Sequence, residues 1–176
     1  MIFRLSQKVA KKIKTGKLPE LPMCENPYAD WSCHLFTADR TQYIIMCNTA
    51  SMYSCVMYGK GITNDSRFIE RALSTIREFM EDDGEQFAYR KFIKTEATTV
   101  TFAKALNRSV IGSINELVMA AGIYLTENDM APHEVGFKLN NFLLSAIAAE
   151  GDDGYSKPKV VFKRLAGQPG DFGINE

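Results

Sequence analysis

Apolar positions along the chain repeat with two different periods, and the switches between them mark out the elements. Residues 2–5 alternate as a short strand. From Ser6 onward Val9 and Ile13 fall on one face of a helix that Ser6 is placed to cap and Gly16 to stop. Pro19, Pro22 and Pro27 make residues 16–29 an extended connector. The period then becomes that of strands over 31–38, 42–48 and 52–58, separated by Asp39-Arg40-Thr41 and Thr49-Ala50-Ser51, which predicts a three-stranded antiparallel meander. The unbroken run Ile44-Ile45-Met46 predicts a central strand covered on both faces.

Helical spacing returns after Asn64 and Asp65, where Phe68, Ala72, Leu73, Ile76, Phe79 and Met80 form a stripe ending before Gly84. Residues 85–93 read as a shorter helix, and the β-branched run 98–103 as a fourth main strand. Two helices follow, 109–125 with Val110, Ile114, Leu117, Val118, Ala121 and Leu125 on one face, and 132–149 with Pro132 in its first turn. Val160-Val161-Phe162 reads as an edge strand. Together these elements predict an α+β fold: a mainly antiparallel sheet of four to six strands with three to five helices packed largely on one face. Residues 1–165 are expected to form a single domain and residues 166–176 a flexible tail, since 176 residues fall short of what two independent cores need.

Charge changes this picture little. Lys plus Arg equals Asp plus Glu at 21 each, so no global field gathers polyanions. No run approaches the roughly 18 apolar residues needed to span a bilayer, and no leader-like apolar segment follows Met1, so a cytoplasmic location without membrane attachment is expected. Cys24, Cys33, Cys47 and Cys55 contain no CxxC pair, and reduced thiols are expected. A Thr49–Ser51 hairpin loop would set Cys47 opposite Tyr53 with Cys55 on the same face, where Cys33 or His34 could complete a metal set. A shift of one residue destroys that set, and neither metal nor cofactor is expected.

The segment Phe102 to Leu117 is the most distinctive, crossing from a strand into a helix N-terminus. Free amides there, beside Lys104 and Arg108, suit a small anion. The candidate ligand-binding set is Lys104, Asn107, Arg108, Ser109, Ser113 and Asn115, with Arg40 from the meander. The plainer alternative makes Asn107 or Ser109 a cap and Ser113–Glu116 a capping box. His34 and Asp39 are the candidate catalytic residues, with Cys33 or Ser32 as nucleophile, although strand alternation turns Cys33 and His34 to opposite faces. His133, beside Glu134 in a first helical turn, reads as solvated. The basic group Arg4, Lys8, Lys11, Lys12, Lys14 and Lys17 precedes any acid and is a candidate nucleic-acid contact, or simply a solvated helix face.

The start Met1 to Lys8, the stretch 31–40 and above all Phe102-x-Lys104-x-x-Asn107-Arg108-Ser109-Val110-x-Gly112-Ser113-x-Asn115-Glu116-Leu117 resemble a bacterial family known only as a domain of unknown function. The resemblance spans roughly residues 1–145 and implies a bacterial, intracellular protein without implying an activity. The residues themselves favour a non-enzymatic cytoplasmic binding or regulatory module. Its expected partners are a protein, a second copy of the chain through an open sheet edge, or a nucleic acid through Lys8, Lys11, Lys12 and Lys14. The alternative is an enzyme acting on a small phosphorylated or carboxylated substrate held at Asn107–Ser113.

Overall fold

Strand β1 (Ile2–Leu5) lies in the interior of a five-stranded sheet whose order is β4-β3-β2-β1-β5, seen in a computed structural model that describes residues 1–167. The meander forms as the alternation predicts, with β2 (Asp30–Ala38), β3 (Thr41–Asn48) and β4 (Ser54–Tyr58) running antiparallel. β1, however, pairs parallel with both β2 and β5 (Thr101–Lys104), so the sheet is mixed rather than purely antiparallel, with the longer ladders those of the antiparallel meander. The reason is visible in chain order: α1 (Gln7–Ile13) and the connector lie between β1 and β2, a crossover of the length that parallel pairing requires.

α1 starts where Ser6 accepts a hydrogen bond from the Val9 amide, as expected, but it ends on Lys14 in the left-handed conformation rather than at Gly16. α2 (Asp65–Asp82) is capped by Asn64 and buries Phe68, Ala72, Ile76, Phe79 and Met80; each large side chain among them contributes on the order of 1.5–3 kcal/mol. These residues join Phe3, Leu5, Trp31, Cys33, Ile44 and Met46 in the core on one face of the sheet. The short α3 (Gln86–Ala88) and α6 (Pro158–Arg164) add Ala88 and Phe162 to that core. On the opposite face α4 (Arg108–Thr126) packs Ile114, Leu117, Ala121 and Leu125 against Phe36, Tyr43, Ile45 and Val56. Helices therefore sit on both faces, the larger share with α1 and α2. β3 is buried from Tyr43 to Asn48, as its unbroken apolar run implied.

α5 (Pro132–Leu139) stops ten residues short of the predicted 132–149 helix, because Asn140 turns inward at its end. There the Asn140 side chain accepts from the Ser54 amide at 2.7 Å and donates to the Ser54 carbonyl at 3.0 Å, acting like one residue of a sixth strand against the edge of β4. The residues 160–162 expected as an edge strand lie inside α6, where Pro158 suits the first helical turn. Apart from its first two positions, the tail expected over 166–176 lies outside the described residues.

Among the described residues α4 is the one helix long and apolar enough to cross a membrane, and its Ile114, Leu117, Ala121 and Leu125 are committed to the core. Arg4, counted above with the basic group, is in fact buried. Its guanidinium donates to both carboxylate oxygens of Asp30 at 2.8 Å and to the carbonyls of Leu21 and Pro22, so it holds the connector against the sheet.

Candidate functional site

β1 and β5 stop at Leu5 and Lys104, whereas β2, in register with β1 as far as Cys33, runs on through His34 to Ala38. The chain leaves β1 into α1 on one face and leaves β5 into α4 on the other. A crevice therefore opens above the ends of β1 and β5, the kind of switch point at which open sheets containing parallel strands hold ligands.

Two adjoining hollows occupy this crevice, of about 650 and 790 Å³, and Ser6, Gln7 and His34 belong to both. The first has an apolar body made by Leu5, Ala10, Leu18, Ala105 and Ile111, with Lys104 on its wall. The second is more polar, with Lys8, Thr37, Gln42 and Asn115 around Phe36 and Val118. Among the described residues no carboxylate lines either hollow. Lys104 does bond Glu20 at 2.9 Å, but both side chains are well exposed and that pair holds the ammonium only weakly. The hydrogen bond and charge of Lys104 draw the Glu20 carboxyl below its ordinary value.

His34 is the half-buried group at the junction, and its ring makes no hydrogen bond among the described residues. Burial pushes its pKa below the ordinary 6.5, so at neutral pH the imidazole is uncharged, with one nitrogen able to donate and the other to accept. Its sequence neighbours are spent elsewhere. Ser32 shares a buried 2.8 Å hydrogen bond with Thr49, and Cys33 points into the opposite core, where burial raises its thiol pKa. Cys47, pushed up to about 12 by burial, pairs with Ser54 rather than Tyr53 across the hairpin. Cys55 pairs with Met46 and faces the other core, so the one-residue shift separates the thiols and no metal-ligand group exists among the described residues.

The remaining candidates are distributed as follows. Asn107 caps α4 by accepting from the Val110 amide at 2.9 Å, which is the plainer of the two roles considered for it. Ser113 forms no capping box; it is buried within α4 and donates to the Ser109 carbonyl. Arg108 and Ser109 are exposed and line neither hollow, whereas Asn115 lines the second. Asp39 and Arg40 form the β2–β3 turn, both with positive φ, and also lie outside the crevice. Lys8, Lys11 and Lys14 are exposed, and Lys12 donates to Gln42 at 2.8 Å. His133, expected to be solvated, is partly exposed and shares a 2.9 Å hydrogen bond with the exposed Asp82.

Sequence reasoning missed Ser6, Gln7 and Gln42 as wall residues. The available signal was topological: a helix inserted between β1 and β2 implies parallel strands, and parallel strands direct attention to their carboxyl ends.

A family model described as a domain of unknown function (DUF6933) matches residues 2–161. No curated protein matches the chain.

Proposed function

The chain belongs to the DUF6933 family, which brings no activity with it, and we propose on the site's geometry that this member is a non-enzymatic binding module of the bacterial cytoplasm for a small anion with an apolar body. The ligand is a carboxylate or phosphomonoester whose apolar part fills the hollow at Leu5, Ala10 and Ile111, while its charged end meets Lys104 and the His34 ring. One observation carries this reading: an uncharged imidazole, unbonded among the described residues, stands in a crevice that no described carboxylate lines, with a weakly held lysine on its wall. A polar group in such a place gains most when a ligand completes its hydrogen bonds. The four unpaired cysteines agree with a reducing compartment.

The test is titration with a panel of small carboxylates and phosphomonoesters, followed by NMR of the His34 ring. Saturable binding is expected, weakened about tenfold by His34→Ala or Lys104→Ala and unchanged by Arg40→Ala. Absence of saturable binding across the panel, or binding indifferent to both crevice substitutions, overturns the proposal. The free imidazole is also what a general base requires, so turnover of a bound ester that vanishes in His34→Ala would convert the module into an enzyme.

A further inference from the structure

The outer face of α4 is unlike an ordinary solvated helix face. Met119 is 73% exposed and Ile123 50% exposed, one turn apart. With 3.6 residues per turn, Arg108, Gly112, Glu116, Met119, Ile123 and Glu127 fall in one arc about 100° wide, opposite the side that packs on the sheet. Gly112 is unexplained by the described residues of one copy of the chain. Among the described residues a Cβ placed there meets nothing within 4 Å, and the position has ordinary helical geometry, so neither packing against them nor backbone conformation asks for glycine. Glycine in an exposed helix interior weakens the helix, so its presence points to close approach by something outside the chain.

We propose that this face is the interface of a homodimer in which two α4 helices pack antiparallel about a two-fold axis passing between Leu117 and Val118. Symmetry then fixes the pairing. Arg108 of one copy comes opposite Glu127 of the other, Gly112 opposite Ile123, and Glu116 opposite Met119. The ends are complementary in charge, and the gap over each glycine receives the branched side chain that each copy leaves in water. Arg108, Glu116 and Glu127 have no side-chain partner among the described residues, so all three are available. The interface lies outside the crevice lining, apart from Asn115 at its margin, and is independent of the ligand-binding proposal. One helix face is a small interface, so association is weak and concentration-dependent.

Sedimentation equilibrium of the full chain from micromolar to near-millimolar concentration tests this directly. A monomer–dimer equilibrium is expected. Arg108→Glu and Glu127→Arg should each weaken it by roughly tenfold, and the double reversal should recover most of the loss. Gly112→Gln should raise or preserve the thermal midpoint of the monomer while abolishing the dimer, a pairing of effects that a purely structural glycine would not give. All three positions are exposed, so the fold survives the changes, and circular dichroism checks it. A monomer at every concentration overturns the interface. A dimer that tolerates Gly112→Gln, or single reversals that the double variant fails to restore, overturns the antiparallel pairing.

Discussion

His34 shows how a single residue's environment becomes a measurable pH dependence. Burial holds its folded-state pKa below the ordinary 6.5, so the unfolded chain takes up the proton first as acidity rises. The neutral ring's contribution to stability is therefore complete above pH 6.5 and is lost as pH falls through the folded value. Wild-type stability in urea should decline on acidification more steeply than that of His34→Gln, which has no proton to gain. Parallel profiles would show that the ring is not desolvated. Gly136 is a second residue-scale case in which two rules compete. Alanine is favoured in a helix by about 1 kcal/mol, yet a Cβ at Gly136 would lie 2.5 Å from Cε2 of the wholly buried Phe79. Phe79 is hemmed in by Tyr53, His133 and Phe137 and has nowhere to retreat. Steric crowding wins, and Gly136→Ala should lower stability by about 1–3 kcal/mol in denaturant titration.

At the scale of elements, the edge of β4 depends on a side chain rather than on another strand. Replacing Asn140 by Ala leaves the Ser54 amide and carbonyl buried without partners, at a cost of about 2–4 kcal/mol. Asn140→Asp should fare no better, because it keeps the acceptor for the Ser54 amide but turns a second oxygen toward the carbonyl. Recovery of stability in the Asp variant would show that the donor half of this contact is dispensable. The same neighbourhood shows what local pattern can and cannot reveal. Stripes such as Phe68 to Met80 and Ile114 to Leu125 were legible because burial on one helix face imposes the period directly. The cap at Ser6 was legible, and that of α4 was narrowed to Asn107 or Ser109, because a short polar side chain before an apolar stripe has few other uses. Val160-Val161-Phe162 misled because three apolar residues fit either period, and Pro158 with the docking of Phe162 beside Tyr28 decided for helix. The end of α5 was hidden because Asn140 acts across 86 residues, which no local window contains.

The whole molecule depends on long-range links of this kind, and the buried Arg4–Asp30 pair joins the most parts. Through it β1, β2, the connector and the end of β5 meet, since Arg4 also reaches the carbonyls of Leu21, Pro22 and Lys104 while Asp30 accepts from the Cys24 amide. The crevice was only half visible in the sequence for the same reason: Lys104, His34 and Asn115 could be nominated by residue type, but the parallel pairing that brings Ser6 and Gln7 beside them is a property of topology. A buried ion pair need not add net stability, yet removing one partner strands the other charge, so Arg4→Met should cost about 3–5 kcal/mol. Arg4→Lys should rescue little, because one ammonium cannot span the two carboxylate oxygens and three carbonyls that the planar guanidinium serves. Hydrogen exchange separates this from a general loss of stability. In Arg4→Lys the amides of Cys24 and Lys104, the latter bonded to the Pro19 carbonyl at 2.9 Å, should lose protection first, while the β2–β3 ladder stays slow. Uniform loss across the sheet would mean that the pair supports the core as a whole and has no particular hold on the connector that carries Glu20 to Lys104.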